Sequence, residues 1–233
     1  MSPGTRATLI LAGRDTARFA WLLAALIAAL ALPPLLYGAE LEIPSVRLGL
    51  AMVLVASLAL LGRRRRNFWI GLALVVPTLI LDWVSLLLGS WALSLVASFG
   101  AISFLGLVIV SIVRALLRAE RVTSDTILGG ICVYLLLGLL WVSAYTLAEN
   151  LQPGSLLLNG AEITAPAVEA FRSIQVLYFS FVTLTTLGYG DIIPATPAAR
   201  ALASAEAIVG QLYVAIFVAR LVGLHLAHAH ERR

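Results

Sequence analysis

The residues that decide the fold run from Glu169 to Asp191 and read EAFRSIQVLYFSFVTLTTLGYGD. The run from Glu169 to Leu184 is mostly apolar, through Phe171, Ile174, Val176, Leu177, Tyr178, Phe179, Phe181 and Val182. A helix needs about 20 apolar residues to cross a bilayer, so this run is too short to span. The stretch that follows, Thr183-Leu184-Thr185-Thr186-Leu187-Gly188-Tyr189-Gly190-Asp191, sets two glycines one residue apart behind a cluster of threonines. Irregular backbone is tolerated at membrane depth only where protein buries it or where it lines a water-filled cavity. The stretch therefore predicts a helix that enters a membrane part-way, followed by a loop that turns back.

The rest of the chain supplies the membrane setting. Of its 233 residues, 61% are hydrophobic and 12% are charged. An average soluble domain carries about 25% charged residues. Disorder, collagen, coiled coil and a disulfide scaffold are excluded by composition. Cys132 is the one cysteine, so it forms no internal disulfide and offers no metal-ligand spacing. Six segments read as transmembrane helices: Phe19–Tyr37, Val46–Gly62, Phe68–Leu88, Trp91–Val113, Ile127–Leu147 and Ala198–Val222. Pro33, Pro34 and Pro77 mark expected kinks in the first and third.

Every basic residue is an arginine. With the N-terminus inside, thirteen of the sixteen fall on the inner side and only Arg47, Arg172 and Arg200 on the outer. The net charge of +4 then reads as positive-inside bias, not as a nucleic-acid footprint, and both ends are expected in the cytoplasm. Trp21, Trp69, Trp83 and Trp91 lie near segment ends, where an interfacial belt places them. The lysine-free, alanine-rich composition suggests a high-GC bacterium. Between the fifth and sixth segments, Gln152-Pro153-Gly154 and Ala165-Pro166 signal loops, and Leu156 to Ile163 reads as a hairpin turning at Asn159-Gly160.

The stretch from Thr183 to Asp191 closely resembles the selectivity filter of tetrameric pore-loop potassium channels. The resemblance is strong over about Ile127–Leu226, and over the first 120 residues it is one of layout alone. It implies an all-α membrane protein with six transmembrane helices, a re-entrant pore helix and filter between the fifth and sixth, and a homotetrameric pore in a cell membrane. It implies K+ as the transported ion and no cofactor. The expected division is 1–18 as a cytoplasmic N-terminus and 19–121 as a four-helix, voltage-sensor-like domain. Residues 122–226 form the pore domain, and 227–233 a cytoplasmic tail.

The chemistry of such a filter can be stated in physical terms. A potassium ion in single file must exchange its water for stacked backbone carbonyls, here those of Thr186, Leu187, Gly188, Tyr189 and Gly190. Alternate residues must then adopt backbone angles that are costly for a residue with a Cβ, which Gly188 and Gly190 reach freely. Leu187 and Tyr189 are expected to turn their side chains outward onto the pore helix, roughly Phe171–Leu184. Asp191 sits at the outer mouth, where its charge concentrates cations. The C-terminal end of the pore helix carries partial negative charge that steadies a cation below.

Two positions depart from the family's commonest pattern. Leu187 stands where valine is usual, and Phe179 where many members carry a tryptophan that bonds the outer aspartate. Phe179 has no donor for that bond, and Tyr178 lies beside it. Thr183, Thr185, Tyr178, Phe179 and Glu206 form the expected support behind the filter, with Glu206 bonding Thr183 or Thr185. Gly210 reads either as a hinge in the last helix or as a site of close packing. Gln211, Val214, Val218 and Val222 recur at helical spacing and are expected to face the cavity, the valines as a hydrophobic gate. No charge lies between Trp91 and Val113 in the fourth segment, so weak or absent voltage dependence is expected. The alternatives are a voltage-gated or weakly selective cation channel, a transporter subunit, or a non-conducting accessory subunit. No enzymatic constellation is present in the sequence.

Overall fold

The structure, a computed structural model, describes residues 3–37, 44–62, 65–119, 122–163 and 169–231. Seven helices and three short strands follow one another: α1 (Pro3–Tyr37), α2 (Ser45–Leu61), α3 (Arg65–Leu88), α4 (Trp91–Leu117), α5 (Ser124–Leu151), β1 (Leu156–Leu158), β2 (Ala161–Glu162), α6 (Glu169–Leu184), β3 (Ile192–Pro194) and α7 (Pro197–Glu231). Five helices are long and apolar enough to cross a membrane, and the chain is a multi-pass membrane protein. The apolar helix α2 has 17 residues. At about 1.5 Å per residue it is roughly 26 Å long, short of a hydrocarbon core about 30 Å thick.

The helices run past the ends of the apolar segments. α1 begins at Pro3, sixteen residues before the apolar run at Phe19, and continues through Pro33 and Pro34. α5 starts at a capping box, in which the Thr123 hydroxyl accepts from the Thr126 backbone N–H while the Thr126 hydroxyl accepts from the Thr123 N–H. Hydropathy marks where lipid is met, whereas backbone hydrogen bonding and caps mark where a helix stops.

The core gathers on α5. Leu136, Leu139 and Tyr145 of α5 are buried with Leu22 and Leu26 of α1 and Phe104, Leu105 and Val108 of α4. Cys132 is fully buried there and contacts the Phe19 carbonyl of α1. Only a short connection separates α4 from α5, and α1 and α4 both pack on α5. Twelve of the 28 residues of α5 are buried, whereas α7 is mostly exposed over its described side chains.

The hairpin at Asn159-Gly160 forms, with φ of 50° and 83° at its two turn residues. It gains a third strand that periodicity does not reveal. β3, just after the filter motif, pairs antiparallel with β1, giving the order β2-β1-β3. Leu156 faces Pro194, Leu157 faces Ile193 and Leu158 faces Ile192.

Candidate functional site

The short helix α6 ends where the threonines begin. The N–H of Thr185 donates to the Phe181 carbonyl at 3.1 Å, that of Thr186 to Thr183 at 2.9 Å, and that of Leu187 back to Val182 at 2.9 Å. These bonds occupy carbonyls that a helix end leaves open. From there the backbone alternates. Thr186, Gly188 and Gly190 have φ of 58°, 59° and 82°, while Leu187 and Tyr189 between them do not. Sequence reasoning assigned left-handed angles to the glycines alone. Thr186 shares them despite its branched Cβ, an uncommon and strained conformation. Its hydroxyl donates to the Thr185 carbonyl at 2.7 Å and accepts from Gln211 Nε2 at 3.2 Å. Gln211 thus meets the inner end of the filter.

Leu187 is 55% exposed within the protomer and, with Tyr178, Phe181, Val182 and Asp191, lines an open cavity of about 620 Å³. Tyr189 is 68% exposed within the protomer. Phe179 turns inward, 5% exposed, with its ring edge-on to Tyr145 at 5.0 Å. Tyr178, one position earlier, lines the same open cavity as Asp191. The Asp191 carbonyl accepts from the Asn159 N–H at the hairpin turn, at 2.9 Å.

Glu206 lies behind the pore helix and is fully buried, but its partners are not the threonines. Its Oε1 accepts from the Ser180 hydroxyl at 2.7 Å and its Oε2 from the Tyr145 hydroxyl at 2.6 Å. The Thr185 hydroxyl instead donates to Phe181 of its own helix, and Thr183 offers its carbonyl to Thr186. Ser180 lies one turn before the end of α6, on the face that meets Gly138 of α5 and Glu206 of α7, and this decides the pairing. The Tyr134 hydroxyl approaches the Leu184 carbonyl at 3.4 Å, at the tip of α6.

Residues 155–224 match a family model described as an ion channel. The chain is 45% identical over 49 residues to two pore potassium channel b of rice, a match covering 21% of this chain and 14% of that one. It is 42% identical over 50 residues to rice two pore potassium channel a, covering 22% and 14%. A Rhodopseudomonas palustris protein named as a potassium channel protein is 37% identical over 65 residues, covering 28% and 16%. Residues 155–224 are thus similar to ion channels, and the relatives that match there carry potassium channel names. The chain spans a small part of the length of the curated relatives it matches. No solved structure matches it.

Within the matched segment, α7 shows two faces. Glu206, Gly210, Tyr213, Phe217 and Arg220 turn toward the rest of the chain. Tyr213 donates to the Gly130 carbonyl at 2.7 Å, and the Phe217 ring lies over Gly130. Gly210 is buried against Leu184 at the tip of the pore helix, where a Cβ would collide with the Leu184 carbonyl. Gly210 thus permits a close approach in an unbroken helix. The opposite face holds Gln211, Val214, Val218 and Val222, all exposed in the protomer. They do not pack on α5.

Arg220, expected as one more inward positive charge, does something more specific. Its Nη2 donates to the carbonyls of Leu116, Leu117 and Ala119 at 3.2, 2.7 and 3.2 Å. These carbonyls lie at and just past the C-terminal end of α4, and that of Leu116 also accepts from the Ala119 N–H at 3.1 Å. The last helix is thereby tied to the four-helix part. In that part Asp82 pairs with Arg47, not with an arginine of α4, at 3.2 Å. Arg47 also donates to the Asp82 carbonyl at 2.7 Å.

Proposed function

We propose that four copies of this chain form a potassium-selective channel, passively conducting K+ along a shared axis, with weak or no voltage dependence. The observation that carries this reading is the alternation of left-handed φ at Thr186, Gly188 and Gly190, beside Gly-Tyr-Gly in sequence. That alternation turns successive carbonyls toward one side, and one chain supplies only one strand of a carbonyl ring. The exposed Tyr189 and the uncovered face of α7 fit surfaces that further copies would cover. The rice relatives carry potassium channel names, which agrees with the ion assigned.

In this reading Thr186 to Gly190 hold K+, Asp191 gathers cations, and Gln211, Val214, Val218 and Val222 line the cavity and gate. Six helices cross the membrane, the short α2 among them, and both termini face the cytoplasm. The uncharged core of α4 and the outer pairing of Arg47 with Asp82 leave no row of charges to move through the field. Rubidium uptake into liposomes holding the purified protein tests the proposal. Uptake should exceed sodium uptake, and Gly188→Ala should abolish it, since a Cβ at φ 59° costs about 1–2 kcal/mol in each copy. Equal rubidium and sodium entry, or undiminished uptake by Gly188→Ala, would refute it.

A further inference from the structure

A second cavity, of about 190 Å³, lies between the ends of the first four helices away from the filter mouth. It has two kinds of wall. Phe19 of α1, Leu61 of α2, and Val108 and Ile112 of α4 form an apolar side, each less than a tenth exposed. Asn67 at the start of α3 and Ser111, Arg114 and Arg118 along the end of α4 form the polar side. Among the described residues no carboxylate lines it.

Arg114 and Arg118 are four residues apart on a helix, so their guanidinium groups share one face. A bland account would have them neutralise the partial negative charge at the end of α4. That task falls to Arg220, which already holds the carbonyls of Leu116, Leu117 and Ala119. Among the described residues neither Arg114 nor Arg118 has a hydrogen-bond or ion-pair partner. Two free guanidinium forks, an amide beside them and an apolar wall leading toward the bilayer interior match one chemistry. That chemistry is a phosphate-bearing anion attached to hydrocarbon.

We propose that this cavity binds the headgroup of an anionic phospholipid. The phosphodiester accepts hydrogen bonds from Arg114, Arg118 and Asn67, and the start of an acyl chain lies against Phe19, Leu61 and Ile112. The lipid then bridges α1, α2, α3 and α4 at the same end where Arg220 ties α4 to α7. The proposal needs only that the chain is membrane-embedded and does not depend on what the pore conducts.

Native mass spectrometry of the purified full chain in detergent tests it, with phosphatidylglycerol, phosphatidylcholine and inorganic phosphate as separate probes. Phosphatidylglycerol should stay bound, and the pair Arg114→Gln with Arg118→Gln should weaken it about 25-fold, roughly fivefold per arginine near an anionic headgroup. Ala115→Trp, which fills the cavity without changing charge, should expel the lipid too. The pair Arg65→Gln with Arg66→Gln removes the same charge from the same end but outside the cavity, and screening should keep its effect within about twofold. An equal loss in the two double variants, unchanged binding by Ala115→Trp, or phosphatidylcholine held as tightly would overturn the proposal. Inorganic phosphate held in place of lipid would overturn the lipid assignment.

Discussion

Thr186 and Glu206 are the two residues whose surroundings say most about the pore. Thr186 accepts an angle that glycine takes without cost, and its hydroxyl is engaged on both sides, by the Thr185 carbonyl and by Gln211. Glu206 is an acid among apolar helices, and its two oxygens join three elements at once: α5 through Tyr145, α6 through Ser180, and its own α7. Replacing it with alanine leaves two buried hydroxyls without their acceptor. At about 1–3 kcal/mol for each orphaned group, reduced where a neighbouring carbonyl takes over, a loss of roughly 2–4 kcal/mol is expected. Ser180 has the Gly138 carbonyl at 2.9 Å as such a substitute. Thermal unfolding in detergent, followed by tryptophan fluorescence, should show Glu206→Ala well below wild type and Glu206→Gln between them. Coincident midpoints would show that the network contributes nothing.

Among the elements, α7 meets the rest of the chain along one face, through Glu206, Gly210, Tyr213, Phe217 and Arg220. Gly210 allows it to touch the tip of the pore helix, and Arg220 fastens it to the end of α4. Two alanine substitutions separate packing from helix propensity. Gly210→Ala should destabilise by about 1–3 kcal/mol, the ordinary cost of overpacking, and should displace the filter tip so that rubidium uptake falls. Gly223→Ala, where an added Cβ meets nothing within 4 Å, should instead stabilise by up to about 1 kcal/mol through helix propensity. If both variants behave alike, the contact at Leu184 is not limiting. Arg220→Gln should cost about 1–2 kcal/mol, the low end for charge-assisted bonds because the side chain is only half-buried. Hydrogen exchange at the last turn of α4 should rise in that variant, and an unchanged exchange rate would remove the tie. The sheet β2-β1-β3 is the corresponding brace outside, with the Asn159 N–H on the Asp191 carbonyl.

Taken as one molecule, the chain packs its first four helices against α5 through α1 and α4, and in the reading proposed above these four carry the pore segment. A voltage sensor needs several charges that cross the field, each contributing about 2.3 kcal/mol per 100 mV. α4 carries Arg114 only in its last turn, and Asp82 is engaged by Arg47. Conductance in planar bilayers should therefore vary only shallowly between −100 and +100 mV, a range of roughly two such steps. A steep sigmoid would require charges that move, and would end the view of this part as a scaffold. The guanidinium groups of Arg114 and Arg118, without a partner among the described residues, are better suited to a stationary anion than to a journey through the membrane.

The membrane class, the short helix and the loop motif were legible in the residue order, because lipid imposes a length on apolar runs and glycine spacing records a backbone demand. The turn at Asn159-Gly160 was legible for the same local reason. Partners distant in sequence were not. Ser180 rather than Thr183 or Thr185 meets Glu206, because helix rotation and tilt set which hydroxyl points where. β3 finds β1, and Arg220 finds the end of α4, across about a hundred residues in the latter case. Such pairings follow from how helices pack, and a buried carbonyl takes whichever donor the packing brings within reach.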